Sequence, residues 1–132
     1  MRASMGKEVL VRVANEIGVL DQMCRLLAEN GINTLAVSGS VHGNDAIFRI
    51  VTTDNLRATD MLRRRHFNPQ ELDCIMVERP HRPGMLRAIT EDLVGEGIAI
   101  EHIYATAAEN QAGVLMVLST SNNERALILL NR

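Results

Sequence analysis

The chain has 132 residues, of which 46% are hydrophobic and 23% charged, enough apolar material for a packed core in one domain or two very small ones. A net charge of −2 and a pI near 6.1 argue against nucleic acid as the main partner, because phosphate binding draws on a basic face. No apolar run reaches the length of a membrane span and residues 1–7 lack the apolar stretch of a signal peptide, so no membrane partner and a cytoplasmic setting are expected.

With one Tyr, two Phe and no Trp, the core falls to Val, Ile, Leu and Met. Glu8–Ala14 is rich in Val and alternates in part, which predicts a strand. Asn15-Glu16-Ile17-Gly18 is a turn. Leu20, Met23, Cys24 and Leu27 then recur at helical spacing over Val19–Asn30, and Asn30-Gly31 is a stop signal. Ile32–Ser40 and Ala46–Thr52 read as two strands joined by a turn at 41–45. Thr53 or Asp54 can cap a second helix carrying Leu56, Met61 and Leu62 to about Arg65. Its basic end, Arg63-Arg64-Arg65-His66, suits the negative pole of a helix dipole, with a phosphate or effector contact as the other reading. His66-Phe67-Asn68 is expected as a short closing strand before Pro69 interrupts.

The order then recurs. Leu72–Arg79 is a strand, and 80–84 is a turn. Met85–Glu96 is a helix with Leu86, Ile89 and Leu93 inward, stopped by Gly97. Ile98–Thr106 and Val114–Thr120 form a hairpin. A last helix starts at Asn122 or Asn123 and leaves no residues after it for a fourth strand. A shift of 66 residues places Gly18 on Gly84, Leu20 on Leu86, Leu27 on Leu93, Gly31 on Gly97 and Ile32 on Ile98. Arg57-Ala58 falls on Arg125-Ala126 at a shift of 68, so the second hairpin holds two extra residues, in a place where loops tolerate insertion. A strand–helix–strand–strand–helix unit closes as an antiparallel sheet with both helices on one face. The expected fold class is therefore α+β, with two ferredoxin-like modules at 7–70 and 71–132.

Cys24 and Cys74 have no metal-ligand spacing and read as small buried hydrophobes. His42 and His102 are isolated, Asp54 and Asp60 do not share a helix face well, and the glycines at 39–43 lie in a hairpin rather than before a helix. No catalytic constellation, metal or cofactor emerges.

Two stretches carry a family resemblance: Asn15-Glu16-Ile17-Gly18-Val19-Leu20 followed by Asn30-Gly31-Ile32-Asn33, and Arg82-Pro83-Gly84-Met85-Leu86 followed by Glu96-Gly97-Ile98-Ala99-Ile100. Together they resemble the ACT domain, a small regulatory module that binds amino acids, and the chain from about Lys7 to Arg132 is similar to stand-alone tandem ACT proteins. The resemblance implies an amino-acid-binding regulatory protein without catalytic activity, its effector held where two modules meet. The loops before the first helices would offer backbone N–H groups to a carboxylate, since a helix N-terminus suits an anion. Glycine lets the backbone approach closely. The site residues it implies are Asn15, Ile17, Gly18, Val19, Leu20 and Asn33, with Arg82, Pro83, Gly84, Met85 and Leu86. Ala99 replaces the family's Asn in the second copy, so the two sites are not expected to be equivalent. Ile17, Val19 and Met85 favour an aliphatic effector. The residues keep other readings open: Gly18 and Gly84 as turn formers, Asn15 as a turn or cap residue, and Arg82 as a solvated loop residue. A homodimer is expected. The alternative function is a dissociable regulatory subunit of a biosynthetic enzyme, since 15–20 also resemble the regulatory subunit of acetohydroxyacid synthase. A small ferredoxin-like enzyme is a third, with no residue to nominate for it.

Overall fold

A computed structural model of the chain describes residues 3–106 and 113–132. The elements in chain order are β1 (Ala3–Ala14), α1 (Val19–Glu29), β2 (Thr34–His42), β3 (Asp45–Thr52), α2 (Asn55–Arg64), β4 (Pro69–Pro80), α3 (Met85–Val94), β5 (Ile100–Thr106), β6 (Gly113–Thr120) and α4 (Asn123–Leu130). Within each module the strands pair antiparallel, and the arrangement is that of two ferredoxin-like modules.

The chain divides into two compact units. One is Lys7–Leu72; the other is Asp73–Arg132 together with Met1–Gly6. In the first, β3 lies between β2 and β1. Val9, Val11, Ala46, Phe48 and Ile50 on the strands meet Met23 and Leu26 of α1 and Leu62 of α2, so both helices cover one sheet face. In the second, β6 lies between β4 and β5. Ile75, Val77, Met116 and Leu118 pack with Ile89 and Leu93 of α3 and with Ala126, Leu129 and Leu130 of α4.

The sequence repeat reappears as identical register. Val9 faces Ile50 and Val11 faces Phe48 in the first unit. Ile75 faces Leu118 and Val77 faces Met116 in the second, at the same shifts of 66 and 68 residues. Both units also carry a bulge at the start of the second strand, between Thr34 and Ala36 and between Ile100 and His102.

Local chemistry sets the helix ends. Asp54 accepts the Arg57 N–H at 3.1 Å and Asn122 accepts the Arg125 N–H at 3.0 Å, so these residues are the caps of α2 and α4. The Asn55 side-chain oxygen accepts from the Thr52 N–H and hydroxyl, and Asn123 does the same with Thr120. Helices α1 and α3 stop as glycine permits: Gly31 (φ 70°) and Gly97 (φ 69°) are left-handed. Each is followed by an N–H that reaches back to the helix, Ile32 to Leu27 at 2.9 Å and Ile98 to Leu93 at 3.0 Å.

Several expectations need correction. His66-Phe67-Asn68 is not a strand. His66 takes the left-handed conformation (φ 67°) and ends α2 as the glycines end α1 and α3, with the Phe67 N–H on the Leu62 carbonyl at 3.1 Å. Pro69 does not interrupt; it opens β4, a position where a missing N–H is tolerated. Strand β1 starts at Ala3 rather than Glu8. Its first residues belong to the second unit, which therefore has a further strand segment after all. Cys24 is exposed and only Cys74 is buried. Leu20, Leu56 and Leu86 are exposed too, because the buried stripes run through Met23, Leu26 and Leu27 on α1, Ala58, Thr59 and Leu62 on α2, and Ile89 and Leu93 on α3.

Candidate functional site

Each candidate loop joins a first strand to a first helix. In the first unit, Asn15 leaves β1 with its N–H bonded to the Asn44 carbonyl at 2.9 Å, next to the β2–β3 turn. Ile17 projects fully into solvent, at 107% relative exposure. Gly18 is left-handed (φ 88°) and is the cap residue of α1. A Cβ there would meet nothing within 4 Å, so glycine answers a backbone need and leaves open space beside it. Val19 is half-buried and packs on the core; Leu20 is exposed. The second unit repeats this. Arg82 and Pro83 are exposed, Gly84 (φ 84°) caps α3 over open space, Met85 leans on the core and Leu86 is exposed.

These two helix starts differ from the other two. α2 and α4 are capped by side chains, whereas α1 and α3 have no side-chain cap bond. Gln22 is the first residue of α1 to bond back along the helix, to the Gly18 carbonyl, and Ala88 does the same to Gly84. Among the described residues, the N–H groups of Leu20, Asp21, Leu86 and Arg87 therefore have no acceptor.

The two starts are opposite in charge. Glu16 and Asp21 in the first unit are matched by Arg82 and Arg87 in the second. Each helix carries an ion pair at the same spacing with the signs exchanged, Asp21 with Arg25 at 3.0 Å and Arg87 with Glu91 at 2.7 Å. Asp21 offsets the positive pole of α1, while the start of α3 stays electropositive and holds no acidic residue in its first turn.

Asn33 is exposed at the other end of α1. Its backbone is fixed by Thr53, whose hydroxyl accepts the Asn33 N–H at 3.0 Å and whose N–H donates to the Asn33 carbonyl at 2.9 Å. Ala99 and Ser121 repeat both bonds at 3.0 and 2.9 Å. The eleven residues of α1 separate Asn33 from the Gly18 loop by roughly 16 Å. One small amino acid cannot touch both within a module.

Grooves run beside the helices, away from these loops. Gln22, Arg25, Leu26, Glu29, Arg65 and Phe67 line one in the first unit, which brings Arg65 of the basic run to the end of α1. Its counterpart in the second unit is acidic, with Glu91, Asp92 and Glu96 facing Arg132. Among the described residues no cluster of His, Cys, Asp or Glu could hold a metal ion, and no helix is long and apolar enough to cross a membrane.

A sequence model of the ACT domain pair matches residues 6–132. No curated protein matches the chain. Among solved structures, protein BT0572 from Bacteroides thetaiotaomicron is similar with a TM-score of 0.89 and 26% identity, over 97% of this chain and 88% of that one. The regulatory subunit of aspartate kinase from Thermus thermophilus, in its ligand-free form, is similar with a TM-score of 0.64 and 16% identity over 98% and 95%. A structure of aspartokinase alpha and beta subunits gives 0.65 and 17% over the same shares. At 16% and 17% identity the likeness is one of fold.

Proposed function

The chain belongs to the ACT domain pair family, and from that premise we propose that it is an amino-acid-binding regulatory protein with no catalytic activity of its own. The observation that carries this reading is the contrast among its helix starts. The two that follow the glycine loops have free amide donors under open space, while the other two are closed by side-chain caps. A free amino acid presents a carboxylate that accepts from such donors.

The charge difference between the loops favours the second one for a carboxylate. The carboxylate goes to the start of α3, where Arg82 adds a charged donor to the Leu86 and Arg87 amides. Met85 at this start suits an aliphatic side chain, as Ile17 and Val19 do at the start of α1.

A calorimetric panel of the twenty amino acids tests the reading. At 100-fold its dissociation constant, the correct ligand stabilises the protein by about 2.7 kcal/mol. Arg82→Ala should weaken that binding roughly ten- to hundredfold, whereas Glu16→Ala should leave the carboxylate contact intact. If none of the twenty shifts the unfolding temperature, the reading fails.

A homodimer in the cytoplasm belongs to the same proposal. Strand β2 supports it: this sheet edge carries no charged residue and leaves Leu35, Val37 and Val41 exposed. Sedimentation that finds only monomer would remove this part alone. The fold shared with the regulatory subunit of aspartate kinase favours a second reading, a dissociable subunit of an amino-acid biosynthetic enzyme. Recovery of a stoichiometric catalytic partner from a pull-down would select it.

A further inference from the structure

We propose that residues Ala3–Gly6 are a clasp that makes the two compact units fold and unfold as one. These residues open β1 yet belong to the unit formed by Asp73–Arg132. Ala3 is 5% exposed inside the second core. The Asn131 side chain, at the C-terminal cap of α4, accepts the Ala3 N–H at 2.8 Å and donates to the Ala3 carbonyl at 2.9 Å. The end of α4 is itself held, because Arg79 donates to the Leu130 carbonyl at 2.7 Å. Gly6 completes the seat. A Cβ there would come within 2.7 Å of the Met76 sulfur, with the Cys74 sulfur at 3.7 Å, so the segment lies close against β4.

Gly6 and Lys7 are consecutive residues of one twelve-residue strand, and Val9 and Val11, a few residues on, are fully buried in the first core. The exchange is reciprocal: β4 is also one twelve-residue strand, and its first residues, Pro69–Leu72, belong to the first unit. Either unit can open fully only by giving up a strand segment that continues, without a turn, into the other. A flexible tandem linker would let each module unfold alone; a continuous strand does not. In a regulatory protein, occupancy of one loop would then stabilise both units. That consequence rests on the function proposed above; the clasp itself does not.

Native-state hydrogen exchange of the full chain across a urea series tests this without any ligand. In the wild type, the amides of Val9–Val13 and of Ile75–Val77 should exchange through one opening, with the same free energy and the same urea dependence. Asn131→Ala should speed exchange in both groups by a common factor of about ten, the loss of two hydrogen bonds. If that variant does not fold, Asn131→Asp, which keeps the acceptor for the Ala3 N–H and loses the donor, supplies the same comparison. Two distinct openings in the wild type would overturn the proposal. So would a variant that speeds exchange only at 73–130, or at neither group.

Discussion

Glu8 is 1% exposed, and the Arg49 guanidinium donates to it at 3.3 Å with 22% exposure of its own. At the equivalent positions the second unit has Cys74 and Val117, both buried, so one chain holds an ionic and an apolar solution to the same place in the sheet. Removing one member of a buried pair costs about 3–5 kcal/mol, because the remaining charge keeps its desolvation penalty. Residual water at Arg49 screens part of this, and Arg49→Val should therefore destabilise by about 2–4 kcal/mol. Glu8→Cys with Arg49→Val removes both charges and should recover most of that loss. A volume deficit remains, since Ser38 faces Arg49 where Tyr104 faces Val117. Adding Ser38→Tyr transplants the whole apolar set and should bring stability within about 1 kcal/mol of the wild type. Urea unfolding of all the variants gives the cycle directly. If Arg49→Val costs less than about 1 kcal/mol, or the double variant loses the sum of the two singles, the pair is not coupled as argued.

Two further outcomes follow from backbone and packing geometry. His66 holds a left-handed conformation that its counterparts Gly31 and Gly97 hold without a side chain. His66→Gly should raise stability by about 1 kcal/mol, read as a higher urea midpoint at unchanged slope, and a lower midpoint would contradict it. At Gly39 a Cβ would come to 2.9 Å from two ring carbons of Phe48, a core ring with little room to move. Gly39→Ala should cost about 1–3 kcal/mol, and thermal unfolding no lower than wild type would show that the ring gives way freely.

What the sequence disclosed follows from how narrowly each residue type constrains the chain. Gly18, Gly31, Gly84 and Gly97 all have positive φ, which few residues other than glycine adopt readily, so their spacing exposed the loops, the helix stops and the repeat. His66 carries the same conformation under no such compulsion and went unseen. The starts of β1 and β4 were also hidden. Ala3-Ser4-Met5-Gly6 lacks β-branched residues, and Pro69 reads as a breaker although it stands at a strand's first position. The helical stripes that periodicity predicts are too wide at Leu20 and Cys24, because periodicity fixes the centre of a buried face better than its margins. At the candidate site, the loops were legible from glycine alone. The exchange of Glu16 and Asp21 for Arg82 and Arg87 was visible too, but acquired meaning only once both pairs stood at uncapped helix starts.

The segment that seats against α4 has a consequence for the order of synthesis. The first unit is complete once Leu72 has left the ribosome. Ala3–Gly6 must wait for Asn131, about 125 residues later. From Leu72 to Asn131 is 59 residues, so at 5–20 residues per second the start of β1 extends from a finished unit as an unpaired strand for roughly 3–12 s. A stretch made before the rest of β1 is thus among the last to find its place. Slow translation between Leu72 and Asn131 would lengthen that exposure without altering a single residue.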